Sequence, residues 1–132
     1  MHNKIKNYWN TYYKSSKLTE KPSDFAKFIT STLNKKKSSR IIDIGSGNFR
    51  DTFYFLRKGY NVSAVDINLQ AYKNNKKKFL KYPNFNFINQ NISKIDHIKL
   101  DKKYDVIYSR FFIHSINQVD ENKLHHWALQ NL

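Results

Sequence analysis

The chain has 132 residues and no cysteine, which excludes disulfides, thiolate metal sites and a cysteine nucleophile. Proline occurs twice and glycine three times, while 16% of the residues are aromatic. A chain disordered throughout would carry far fewer aromatics, so one folded domain with a modest core is the expectation. No apolar run is long enough to span a bilayer. Lys4 and Lys6 are followed by polar residues and not by an apolar stretch, so no secretory signal is read. A cytoplasmic location without a membrane partner is the simplest expectation. Acids are scarce: 10 Asp and Glu stand against 24 Lys and Arg, giving a net charge of +14. Such a balance raises nucleic acid as a partner. Here the lysines are spread along the chain and accompany many Asn, Ile, Tyr and Phe, the bias of an AT-rich genome. Nucleic acid is therefore the weaker candidate partner.

Two of the three glycines lie in Arg40-Ile41-Ile42-Asp43-Ile44-Gly45-Ser46-Gly47-Asn48. A short apolar strand enters a glycine bend there. A second apolar strand then ends at Asp66, about twenty residues on, the spacing of a nucleotide-cofactor site in a Rossmann-like unit. The glycines let backbone approach a ligand closely. The acid can accept hydrogen bonds from both hydroxyls of a ribose.

Around that unit the pattern alternates. Tyr8, Trp9, Tyr12 and Tyr13 recur at helical spacing in the first segment. Pro22-Ser23 opens a helix with Ser23 as N-cap and Phe25, Phe28, Ile29 and Leu33 as its apolar stripe. Lys35 to Ser39 reads as an exposed connection. Strands are expected over 41–44, 61–65, 85–88 and 104–108. Helices are expected over 51–58, closed by Gly59, and from an Asn68 cap to about Leu80, stopped near Pro83. A last helix runs from about Asp120, with Leu124, Trp127 and Leu129 as candidates for burial. The expected fold is α/β: a Rossmann-like three-layer sandwich with a mostly parallel sheet whose C-terminal strands are missing. Residues 1–38 form a helical lead-in and 39–132 the cofactor-binding core of what is overall a single domain. The open sheet edge invites pairing, so a homo-oligomer that completes it is one expectation.

The run Ile42-Asp43-Ile44-Gly45-Ser46-Gly47-Asn48-Phe49-Arg50-Asp51 resembles the first motif of class I S-adenosylmethionine-dependent methyltransferases. The resemblance extends over Asp66, over Asn91-Ile92, and over Tyr104-Asp105-Val106-Ile107-Tyr108-Ser109-Arg110-Phe111-Phe112-Ile113-His114. The front segment is similar to the lead-in of bacterial small-molecule members. Phe49 stands where both this family and dinucleotide sites favour a third glycine.

The resemblance implies S-adenosylmethionine as cofactor and assigns its contacts. Gly45, Ser46 and Gly47 would wrap its methionine portion and ribose, and Asp66 would hold the ribose hydroxyls. Ile67 and Ile92 would pack the adenine, with Asn91 accepting from the adenine amino group. Arg50 would pair with the methionine carboxylate, and Ser109 would contact the methionine end. Asp43 is read as loop support, bonded to the bend or to the cofactor amino group. Arg110 and His114 point to the acceptor side, with His114 as a general base. Each has a plainer alternative: a capping acid for Asp66, a turn residue for Asn91, a surface arginine for Arg50, a structural histidine for His114. His125 and His126 are adjacent and do not share a helix face, so no zinc site is read. No Asn-Pro-Pro-Tyr-like motif follows the fourth strand, which favours a small-molecule or saccharide-linked acceptor over nucleic acid. The alternative is a truncated methyltransferase-like domain that binds the cofactor or a partner subunit without catalysis.

Overall fold

Ile41, Ile42 and Ile44 are buried on alternate sides of one strand, and a strand buried on both faces belongs in the middle of a parallel sheet. The computed structural model, which describes residues 21–33, 39–110 and 116–132, places it there. Strand β1 (Arg40–Ile44) pairs in parallel with β2 (Asn61–Asp66) on one side and with β4 (Val106–Tyr108) on the other. Strand β3 (Phe85–Asn89) pairs in parallel with β2, so the order is β3-β2-β1-β4. Register sets Ile44 beside Val65, Asp43 beside Tyr108 and Asp66 beside Asn89. The carboxyl ends of all four strands therefore lie along one edge. The order reverses at β1, and open α/β sheets bind ligands at such a switch point.

One face of the sheet carries α1 (Asp24–Thr32), α2 (Arg50–Arg57) and α3 (Leu69–Phe79). Their buried Ala26, Phe53, Phe55, Leu56, Ala71 and Phe79 pack with Ile41, Val62, Ala64 and Tyr108. The other face is covered by a 3-10 turn (Ile92–His97) and α4 (Gln118–Asn131). There Ile92, Ile95, Leu124 and Trp127 pack with Ile42, Ile44 and Val65. These are the three layers that the alternating pattern predicts.

Local chemistry explains the boundaries. Ser23 caps α1 by accepting from the Ala26 amide, Asn68 caps α3 through Gln70, and Asn117 caps α4 through Asp120. Helix α2 ends as Tyr60 N–H bonds Phe55 C=O and Gly59 N–H bonds Leu56 C=O, the paired closure of a Schellman motif.

Three expectations are corrected. Phe28 is 60% exposed, and α1 packs through Ala26, Ile29 and Leu33 instead. Leu129 is 77% exposed, because Leu124 and Trp127 already occupy the face of α4 that meets the core. Strand β4 starts at Val106: the Tyr104 amide bonds Asn131 C=O at the end of α4, and its hydroxyl donates to Ser63. The 3-10 turn after β3 was not foreseen. The aromatic segment at Tyr8 to Tyr13, the Lys35–Lys37 connection and the Phe111–His114 stretch lie outside the described residues.

Candidate functional site

The bend after β1 has three residues with positive φ in alternation: Gly45 at 72°, Gly47 at 56° and Phe49 at 67°. Glycine adopts such angles without a steric penalty, which explains the first two. The bend is closed by short bonds. Gly45 N–H and Ser46 N–H both donate to Val65 C=O at the end of β2, at 2.8 and 3.2 Å, and Phe49 N–H donates to Ser46 C=O at 3.0 Å.

Asp66, the last residue of β2, joins the bend directly. Its Oδ2 accepts from Gly47 N–H at 2.8 Å and its Oδ1 accepts from Asn68 N–H at 2.7 Å. Burial pushes this carboxyl above its usual range, and the bonds from Asn68, Gly47 and Ile67 pull it back. A carboxylate oxygen has more than one acceptor site, so each oxygen can still take a hydroxyl. Acid and bend thus form one unit at the switch point.

Asp43 lies 4% exposed inside β1, and its Oδ2 accepts from Thr52 Oγ1 on α2 at 2.7 Å. Support therefore runs from β1 to the helix behind the bend. Burial raises its pKa from 3.8 to about 7, partly offset by the Thr52 bond and reinforced by the charges of Asp51 and Asp66. The native state then keeps a proton that the unfolded chain loses near pH 4, so stability falls as pH rises from about 4 to about 7 and the loss is complete above that. Asp43→Asn keeps an acceptor for Thr52 and removes this titration. Urea unfolding at pH 5 and pH 8 is expected to show the wild type losing about 2–3 kcal/mol relative to that variant over the interval.

Among the described residues, three buried side-chain atoms lack a hydrogen-bond partner: Ser46 Oγ in the bend, Asn68 Nδ2 just past Asp66, and Ser109 Oγ just past β4. All three residues follow strand ends at the same edge of the sheet. Buried polar groups are almost always satisfied, and these three stand at the edge where open α/β sheets bind ligands.

The remaining candidates are placed as follows. Ile67 is half-buried, with its carbonyl accepting from Asn89 Nδ2 at 3.0 Å. Asn91 Oδ1 accepts from Ser93 N–H and caps the 3-10 turn, as a turn residue does. Ile92 is buried in the core under α4. Arg50 Nε donates to the Lys21 carbonyl ahead of α1, which ties the start of α2 to the lead-in. Arg110 is half-buried beside Ser109, and His114 lies outside the described residues.

Sequence reasoning missed a buried network behind the bend. Asp51 Oδ1 accepts from Ser23 N–H at 2.8 Å, and its Oδ2 accepts from Ser23 Oγ at 2.7 Å and from Tyr108 OH at 2.6 Å. Burial, and then the bond to Asp51, hold the Tyr108 hydroxyl above its ordinary pKa, so it remains a donor. Phe25 stacks on Tyr108 with ring centroids 5.3 Å apart. The available signal was an acid, Asp51, followed by the apolar face of α2. Such an acid in the first turn reads as favouring the helix dipole, and nothing local says that it is buried.

The donor set suits a nucleoside cofactor: a carboxylate fixed beside the bare peptide of Gly45 and Gly47, with the unpaired Ser46 Oγ, Asn68 Nδ2 and Ser109 Oγ around them. Among the described residues no group of three or more His, Cys, Asp or Glu is placed to hold a metal ion. No helix among them is long and apolar enough to cross a membrane.

Comparison with known proteins bears on the family and the fold. Residues 1–125 match the family model described as tellurite resistance protein TehB. Among solved structures, the glycopeptide N-methyltransferase MtfA complexed with S-adenosylmethionine superposes with a TM-score of 0.70 at 18% identity, covering 85% of this chain and 50% of that one. The CcbJ methyltransferase from Streptomyces caelestis gives 0.70 at 17% identity, covering 93% and 51%. TehB from Haemophilus influenzae gives 0.67 at 16% identity, covering 96% and 41%. The chain thus spans about half the length of the solved structures it resembles. No curated protein sequence matches it. With the family model matched over nearly the whole chain, on a fold shared with those methyltransferases, the chain belongs to the TehB family of class I S-adenosylmethionine-dependent methyltransferases.

Proposed function

We propose that this chain binds S-adenosylmethionine at the bend after β1 and serves its methyl transfer to a small-molecule or saccharide-linked acceptor. The observation that carries the reading is the bond between Gly47 N–H and Asp66 Oδ2, which fuses bend and acid into one receptor. Asp66 accepts from the ribose hydroxyls while its backbone bonds hold the carboxylate in place. Gly45 and Gly47 expose peptide without side chains to the methionine portion. Ser46 Oγ and Ser109 Oγ, both buried and unpartnered, gain partners there. Half-buried Ile67 offers apolar surface for a base, while Ile92 lies buried under α4 and Asn91, just before it, caps the 3-10 turn. Arg50 stays with the lead-in carbonyl of Lys21, so its pairing with a ligand carboxylate requires that bond to open.

The bound cofactor supplies a methyl group already activated on a sulfonium, so the chain's own task is placement. Holding the acceptor in line can supply much of the acceleration. Arg110 follows Ser109 past β4 on the acceptor side, and His114 is assigned the proton of an oxygen or nitrogen acceptor. The saccharide-linked class gains support from MtfA, a glycopeptide N-methyltransferase of the same fold.

Calorimetric titration tests the reading. S-adenosylmethionine is expected to give saturable binding and NADH none. Equal binding of both, or of neither, overturns the cofactor assignment. Transfer of a labelled methyl group to a panel of glycosides and small amines then distinguishes an enzyme from a domain that holds the cofactor without turnover.

A further inference from the structure

Phe49 is the one non-glycine residue with positive φ among the described residues, and its backbone completes the bend. Its N–H closes the turn onto Ser46 C=O, and its carbonyl accepts the Phe53 amide at 2.8 Å to begin α2. A left-handed phenylalanine needs surroundings that over-determine it. These are on hand. Its ring is fully buried and meets Phe53, Phe79, Phe85 and Phe87 edge-on, with centroids 6.4, 5.0, 6.3 and 5.6 Å away. The four partners come from α2, α3 and β3, so one ring ties the bend to three elements. Two residues upstream, the Gly47 amide reaches Asp66.

We propose that Phe49 is the positioning residue of the cofactor site: its ring, locked in the aromatic core, holds the bend in the form that keeps Gly47 N–H on Asp66. Glycine at 49 would reach the same backbone through freedom, and this chain reaches it through packing. The relevance to cofactor affinity rests on the site reading above, while the mechanical role does not.

Two substitutions at one position separate packing from backbone. Phe49→Ala removes the ring and keeps the penalty on a left-handed backbone, whereas Phe49→Gly removes both. Hydrogen exchange at the Gly47 amide is the direct readout, with S-adenosylmethionine affinity by calorimetry alongside. Phe49→Ala is expected to speed Gly47 exchange by about tenfold beyond what its global stability explains, and to weaken the cofactor by about as much, in keeping with the left-handed penalty. Phe49→Gly is expected to restore both to within about threefold of wild type although its core is equally depleted. Leu124→Ala, buried in the core on the other face of the sheet and outside the Phe49 cluster, is expected to lower stability and leave both readouts unchanged. Should Phe49→Ala fail to fold, Phe49→Leu replaces it and is expected to exceed Leu124→Ala in Gly47 exchange. Equal exchange in the alanine and glycine variants, or an equal effect from Leu124→Ala, overturns the proposal. A wild-type chain that binds no S-adenosylmethionine overturns the site reading alone, and the exchange data still decide the role of Phe49.

Discussion

Asp66→Ala is expected to reduce affinity for S-adenosylmethionine by at least about 100-fold, close to 3 kcal/mol. Two losses add. The carboxylate would accept from two ribose hydroxyls, and charge-assisted hydrogen bonds are worth about 1.5–3 kcal/mol each. The same side chain receives Gly47 N–H and Asn68 N–H, so its removal also loosens the bend and the start of α3. Asp66→Asn is expected to fall between, because its amide group presents a donor to one of those two N–H groups. Calorimetry gives the affinity and urea unfolding the stability. Unchanged affinity in Asp66→Ala would falsify the assignment of the ribose site.

The second large effect concerns folding stability. Asp51→Ala is expected to cost about 3–5 kcal/mol, because it strips the acceptor from three buried donors at once: Ser23 N–H, Ser23 Oγ and Tyr108 OH. For a chain of this size such a loss is a large part of the whole. Tyr108→Phe removes one donor and its partner bond while keeping the ring on Phe25, and is expected to cost about 1 kcal/mol. The contrast between the two variants in urea midpoints is the check. A loss in Asp51→Ala no greater than in Tyr108→Phe would show that the network contributes little beyond one bond.

The layers and the switch point were legible in the sequence for physical reasons. Ile41, Ile42 and Ile44 put apolar side chains on both faces of one short strand, as a doubly covered strand requires. Ser23 and Asn68 are side chains that cap helices by their own chemistry, and both do so. The bend and Asp66 were readable because glycine and acid at that spacing answer a local geometric need. What stayed hidden depends on distant residues. Phe28 fits the helical stripe as well as Ile29 does, yet the sheet offers room to Ile29 and not to Phe28. Asp51 looked like a helix-start acid, and its partners Ser23 and Tyr108 lie 28 and 57 residues away. Phe49 stood where a third glycine is favoured, and only the tertiary core shows its ring turned into a cluster formed by three elements.

The strand order also sets how long a loop each pairing must close. Strands β1, β2 and β3 follow one another along the chain and lie side by side, so each new pairing closes a short loop. Strand β4 must return to β1 across a long excursion, marked by Arg40 and Asp105 pairing at a separation of 65 residues. Contacts across longer loops carry a larger closure entropy and form later. Bend and acid, proposed above to hold the ribose, are only 19 residues apart and join through a short closure. Ser109 follows β4, so its place at the same edge depends on the longest closure in the sheet.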